Sequence, residues 1–284
     1  MSATAQSLKK WVVTRMAASH LAGLHVTDAL TVCAAASRRG WTTTLGYWND
    51  PHDTPADAAR AYHAALDAIL TTPLNSYLSV KVTILQYDYG CISDLLGKAA
   101  AQGVRIHFDA MDPSSAEPTF SLLERSLAAH SNLGCTLPSR WRRSLTDADR
   151  VAGLGIPVRI VKGQWADPAD QRIDPRAGFI SVVQHLAGSR ARVAVATHDR
   201  PLARRALGIL TDSSTACEME QLSSLPQNCA SVAAALGVPF RIYVPFGHPS
   251  LPYDIWQARA RAGIIVWALR DFIAGRHRPL SGAA

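Results

Sequence analysis

No apolar run in this 284-residue chain approaches the eighteen or so residues needed to cross a bilayer. Its first twenty residues, MSATAQSLKKWVVTRMAASH, lack the apolar centre and cleavage site of a secretory signal. The expectation is a soluble cytoplasmic protein with no membrane span. Cysteine is scarce: Cys33, Cys91, Cys135, Cys217 and Cys229 form an odd, scattered set without a CxxC pair, which argues against a disulfide framework and a zinc cluster alike. Neither GxGxxG nor GxxxxGK[ST] is present, so the usual nucleotide-binding fingerprints are missing. GxSxG and HExxH are absent as well, and Ser144, Asp147 and His130 are only near one another in sequence. No metal site is expected.

Aromatic residues make up 7% of the chain and do not interleave with basic ones as a base-stacking platform would require. The net charge of +7 is dispersed, apart from Arg140, Arg142 and Arg143 and the segment Arg276-His277-Arg278. A solvated basic surface is therefore expected in place of a nucleic-acid footprint, and such a surface suits an acidic protein partner or a phosphate-bearing substrate. At 48% hydrophobic and 18% charged, the chain can bury a large core. Residues 1–25 read as an N-terminal helical extension and 26–284 as a single domain.

From Gly40 onward, short β-branched or aromatic runs alternate with Ala/Leu-rich stretches. The strand candidates are Trp41 to Trp48, Tyr77 to Leu85, Val104 to Met111, Leu133 to Leu137, Val158 to Trp165, Arg192 to His198, Ala216 to Leu222 and Phe240 to Phe246. Helical stretches follow each: Thr54 to Leu70, Ile92 to Gln102, Ser115 to His130, Leu145 to Leu154, Pro175 to Gly188, Arg200 to Leu210, Asn228 to Leu236 and Asp254 to Ala274. Eight βα units predict an α/β fold of the (β/α)8 TIM-barrel type. In that fold, strand C-termini build the site. The polar residues at or near these ends are Lys81, Asp109, Arg159, Lys162, Thr197, His198, Glu218, Glu220 and Tyr243. Arg159 and Lys162 stand out because they interrupt the apolar run Ile156-Pro157-Val158-Arg159-Ile160-Val161-Lys162.

Five of these segments, in chain order, resemble motifs of the FAD-dependent proline dehydrogenase family. Leu78-Ser79-Val80-Lys81-Val82-Thr83 resembles the second-strand LS(V/L)KLT motif, and Ile106-His107-Phe108-Asp109-Ala110-Met111-Asp112 the third-strand motif, with Met111 in place of an acid. Arg159-Ile160-Val161-Lys162-Gly163-Gln164-Trp165 resembles RLVKGAY on strand five. Ala196-Thr197-His198-Asp199 resembles ATHN/D on strand six, and Arg241-Ile242-Tyr243-Val244-Pro245-Phe246-Gly247 resembles R-x-YVPYG on strand eight. The resemblance spans roughly residues 28 to 260 and implies a flavin-binding catalytic domain with FAD as cofactor. It places Arg159, Val161, Lys162, Gly163, Trp165, Thr197, His198 and Tyr243 against the flavin, and gives Lys81, Asp109 and Arg159 catalytic roles. Fixed cations beside the ring would favour its reduced, negatively charged state. Lys81 and Asp109 are expected to compensate each other as a pair.

Departures from the family concentrate where proline would bind. The family's two adjacent clamp arginines are replaced by Trp256 and Gln257, and Arg259 lies two positions away, rotated off the clamp face. A strand-one Glu that pairs with the clamp is replaced by Tyr47, a strand-seven Tyr by Ser223, a strand-five Tyr by Trp165, and a strand-four Gln by Pro138. Substrate contacts are thus expected from Tyr47, Lys81, Asp109, Ser223, Tyr243, Trp256 and Gln257. Each lost charge-assisted hydrogen bond is worth about 1.5–3 kcal/mol, so free proline is disfavoured.

The resulting expectation is a flavin-dependent dehydrogenase or oxidase that oxidises an amine, or a hydrazine, whose carboxyl is masked or absent. The substrate could be presented on an acyl or peptidyl carrier protein, and no motif identifies the electron acceptor. Two alternatives stand beside it: a dehydrogenase of free proline or another cyclic amine with its carboxylate moved to Arg142 or Arg143, and a non-catalytic flavin-binding or regulatory pseudoenzyme.

Overall fold

A computed structural model describes residues 20–248. The N-terminal extension up to residue 19, the final helix expected over 254–274, Trp256 and Gln257 all lie outside the described residues. Within them, eight strands close into a parallel barrel in sequence order, β1 pairing with both β2 and β8. They are β1 Thr42–Trp48, β2 Ser76–Val80, β3 Ile106–Phe108, β4 Leu133–Pro138, β5 Val158–Val161, β6 Val193–Ala196, β7 Cys217–Leu222 and β8 Phe240–Gly247. The helices are α1 Val26–Ser37, α2 Pro55–Leu70, α3 Tyr89–Ala101, α4 Ala116–Ser126, α5 Arg143–Leu154, α6 Pro175–Leu186, α7 Arg200–Asp212 and α8 Ala230–Ala235. The (β/α)8 expectation holds.

Helix starts follow from local chemistry. Thr54, Asp174 and Asp199 each accept a backbone N–H of the first turn, and each precedes a proline in the first two helical positions. The proline has no N–H to satisfy there, and its fixed φ suits the first turn. Gly155 closes α5 in the left-handed conformation at φ 65°.

Two features differ from the sequence expectation. Helix α1, not anticipated, packs outside β8 and β1, and residues 20–24 before it run as turns and coil; Ala22 donates its N–H to the Pro245 carbonyl. The strand expected through Leu85 ends at Val80, and residues 82–87 form turns with Gln86 and Tyr87 at positive φ. Burial explains this: Val82 and Leu85 reach the hydrophobic core from the turn. Their apolar character records burial, not extended pairing. Strand five likewise stops at Val161, before Gly163 turns the chain at φ 80°.

The two faces of the barrel wall are chemically distinct. Outward residues such as Leu45, Leu78, Phe108, Ile160, Val195 and Ile242 pack beneath the helices in one aliphatic layer. Inward residues include Arg105, Arg159, Arg241, Asp109, Glu218 and Glu220, three cations against three anions. A barrel interior of this type is ordinarily filled by branched aliphatic side chains. Here the charges balance, which is what permits their burial.

Candidate active site in the barrel mouth

Period-two alternation along each strand delivers the inward residues in steps from the closed end to the mouth. At the closed end, Arg241 donates from Nε to Glu218 Oε2 at 3.1 Å and from Nη1 to the Thr43 carbonyl, while Arg105 lies 3.7 Å from Glu218 Oε1. Above them the Tyr77 ring receives the guanidinium groups of Arg241 at 4.4 Å and Arg105 at 4.9 Å from its centroid.

Arg159 forms the next level and the floor of the cavity. Its Nε donates to Glu220 Oε2 at 3.0 Å, Nη1 to Asp109 Oδ1 at 2.7 Å and Ser79 Oγ at 3.2 Å, and Nη2 to the Tyr77 hydroxyl at 3.0 Å. Burial pulls its pKa down, but Glu220, Tyr77 and Asp109 outweigh that and hold it well above the ordinary value. Arg159 is a permanent cation. Asp109 also accepts from Ser79 Oγ at 2.7 Å and from the Tyr243 hydroxyl at 3.3 Å. Burial, and then Asp109, keep the Tyr243 phenol well above its normal pKa. Tyr243 can lie this far across the barrel because Gly46 has no side chain: a Cβ there would overlap the Tyr243 hydroxyl.

Over this floor opens a cavity of about 450 Å³. Asp109, Thr136, Arg159, Glu220 and Tyr243 form its polar base, and Trp48, Met111, Val161, Trp165 and Leu222 its apolar walls. Gly163, Thr197 and His198 complete the β5–β6 side. Six of the residues expected at a flavin therefore share one lining with Arg159: Val161, Gly163, Trp165, Thr197, His198 and Tyr243.

Other expected residues lie elsewhere. Lys162 is at the rim, 3.0 Å from Asp199, which also receives Arg176 at 3.1 Å. Tyr47 does not line the cavity; it points to the helix layer, donates to Asp53 at 2.7 Å and packs edge-on against Tyr62. Its neighbour Trp48 takes the inward place, because Gly46 and Trp48 share a face that Tyr47 cannot. Ser223 is also outside the lining, its N–H committed to the Tyr243 carbonyl. The Lys81–Asp109 pair does not form: Asp109 is committed to Arg159, and the Lys81 ammonium sits 5.6 Å from the Trp48 ring centroid. Burial lowers the Lys81 pKa to about 8, with Asp109 opposing. Arg142 and Arg143 face away, paired with Asp170 and with Glu117 and Asp147.

His198 is half-buried and fully engaged. The Leu222 N–H donates to its Nε2 at 3.1 Å, so Nδ1 carries the proton and faces the Pro226 carbonyl at 3.3 Å. Burial lowers its pKa to about 4, against a smaller opposing effect of that carbonyl. It is neutral near pH 7 and offers a cavity ligand its ring, not a free nitrogen. Sequence reading missed Tyr77, Thr136 and Trp48; the alternation Tyr77, Ser79, Lys81 on one strand face was the available signal.

Proline dehydrogenase 1 of Bacillus subtilis (strain 168) is 23% identical over 269 residues, covering 89% of each chain. The proline dehydrogenase of Deinococcus radiodurans is 26% identical over 272 residues, 86% of this chain and 85% of that one. Over most of its length the chain is similar to both proline dehydrogenases. No family model matches it. Among solved structures, proline utilization A from Bdellovibrio bacteriovorus, inactivated by N-propargylglycine, superposes with a TM-score of 0.73 at 17% identity. Proline utilization A from Corynebacterium freiburgense gives 0.70 at 16%. The alignments cover 94% and 97% of this chain but only 34% and 35% of those proteins, so this chain spans about a third of their length. These likenesses establish a fold shared with part of the proline utilization A proteins.

Proposed function

We propose that this protein is an FAD-dependent oxidoreductase that removes a hydride from the carbon of a C–N bond in an amine lacking a free carboxylate. The observation that carries the reading is the cavity built on Arg159 at the C-terminal ends of the strands, in a chain similar to proline dehydrogenases over most of its length. The donor set fits a flavin. A flat heteroaromatic ring needs apolar walls above a polar edge, and Trp48, Met111, Val161, Trp165 and Leu222 stand above Arg159 and Asp109. Val161, Gly163, Thr197, Tyr243 and the His198 ring would hold it, with Lys162 at the rim. The bound flavin supplies the hydride acceptor.

This chain's own residues bind and align. Arg159 offers its charge through a guanidinium already ordered by Asp109, Glu220 and Tyr77, so no reorganisation is needed when negative charge develops above it. Two carboxylates touch that single charge, so formally they more than offset it. Trp48 and Met111 line the cavity and would exclude water on the substrate side. The lost clamp positions, together with Arg142 and Arg143 turned to the surface, disfavour free proline. A carboxyl masked as an amide or a carrier-bound thioester suits this pocket, and a hydrazine presents the same kind of bond. The dispersed positive charge suits an acidic carrier.

The test is the visible spectrum of the purified protein, followed by anaerobic addition of proline, proline amide and a thioester-linked prolyl group. Flavin bands bleached by the masked substrates and not by proline are expected. A colourless protein that cannot be reconstituted with FAD would overturn the reading, and bleaching by proline alone would overturn the substrate class.

A further inference from the structure

Arginine and a buried carboxylate usually meet through two parallel hydrogen bonds. Arg159 and Glu220 do not. Glu220 is 1% exposed, Arg159 4%, and only the Nε–Oε2 bond joins them. The second carboxylate oxygen, Oε1, has no hydrogen-bond partner among the described residues, although leaving it so is costly. The Tyr77 hydroxyl stands where the second bond would form. It accepts from Arg159 Nη2 at 3.0 Å and donates to Glu220 Oε2 at 3.3 Å, closing a ring of three hydrogen bonds. From below, Arg241 and Arg105 stack on the Tyr77 ring and fix where its hydroxyl points.

We infer that Tyr77 is a positioning residue, a wedge that keeps Arg159 and Glu220 from closing into a two-pronged pair and so limits how far Glu220 neutralises the guanidinium at the cavity floor. Without the hydroxyl, Nη2 loses its acceptor and Oε2 a donor, and the nearest remedy for both is the bidentate pair. That pair uses the Nε and Nη2 edge, so Nη1 stays on Asp109. Glu220 then neutralises the guanidinium more fully, which disfavours negative charge on a ring above. Tyr77 itself is absent from the cavity lining, so the effect runs through Arg159. The electrochemical consequence rests on the flavin reading; the rearrangement of Arg159 does not.

Tyr77→Phe keeps the ring and its stacked arginines and removes only the wedge. Crystal structures of the wild-type and Y77F proteins should show a second Arg159–Glu220 bond, from Nη2 to Oε1, in place of the hydroxyl-bridged arrangement. In the flavin-loaded protein, the equilibrium for two-electron reduction should fall at least tenfold, a drop of about 30 mV in midpoint potential. Adding Glu220→Gln to Y77F removes the charge that drives the collapse and should restore most of the lost potential. A single Arg159–Glu220 bond retained in Y77F would overturn the proposal, as would a potential unchanged from wild type. A protein that takes up no flavin would sink the proposed function alone, and the crystal comparison would still decide the wedge.

Discussion

The same eight strands present two surfaces that obey opposite rules. Outside, under the helices, each strand gives residues such as Leu78, Phe108, Val195 and Ile242, all fully buried. Inside, one residue away, it gives Ser79, His107, Ala194 or Arg241, in a network where most polar atoms have partners. The outer layer is interchangeable chemistry that sums over area, at about 25 cal/mol per Å². The inner layer is a set of paired charges whose worth depends on each partner's presence. The outer face contributes stability by area alone, while the inner face carries the site and contributes stability only as long as its charge pairs are complete.

The sharpest way to break this division is to remove one inner charge. Arg159→Leu strands Asp109 and Glu220, and should cost about 3–5 kcal/mol in denaturant unfolding and abolish flavin retention. A loss confined to flavin, with stability intact, would mean that the inner network is not structural. Phe108→Ala probes the outer face. It should also cost about 3–5 kcal/mol, but the protein that remains folded should keep its spectrum.

What was legible in the sequence follows the same line. Regular alternation of branched and helical runs exposed the barrel, because burial under helices leaves an unmistakable apolar trace. Arg159 and Asp109 were legible because charge inside an apolar strand demands a reason. Tyr77 was not, since a tyrosine opening a strand is ordinary, and its role depends on Arg105 just ahead of β3, Glu220 of β7 and Arg241 of β8. Tyr47 and Trp48 were interchanged because both are aromatic and only the position of Gly46 relative to Tyr243 fixes which faces inward. Lys81 was assigned a carboxylate that Arg159 had already taken, a competition between strands that no local pattern reveals.

A pH titration sharpens the comparison further. His198 has a folded-state pKa of about 4, below the ordinary 6.5. Between those values the unfolded chain takes up a proton that the folded chain refuses, so stability falls as pH falls through this window and is retained above it. The loss should approach about 3 kcal/mol by pH 4. Replacing His198 with Gln should flatten that part of the curve in urea unfolding followed across pH; an unchanged slope would assign the loss to other groups.

The smallest expected effect is spectroscopic. Lys81, with its pKa near 8, lies over the Trp48 ring. A modest fluorescence change with a midpoint near pH 8 is expected, and it should vanish in both Trp48→Phe and Lys81→Met. A midpoint above 10 would mean that the ammonium is better solvated or better paired than this geometry allows.

The missing side chain at Gly46 has a consequence for how this pocket could be altered by descent or by design. Tyr243 occupies the volume that any other residue at 46 would claim, so the two positions, nearly two hundred residues apart in sequence, behave as one choice. A larger residue at 46 becomes admissible only after Tyr243 has been cut back, and cutting back Tyr243 first leaves Asp109 without one of its donors. Neither order of single steps is free of a weakened intermediate. Remodelling of this wall is therefore expected to proceed by paired exchange, and a library that varies 46 and 243 together should yield folded pockets that libraries varying either one alone do not.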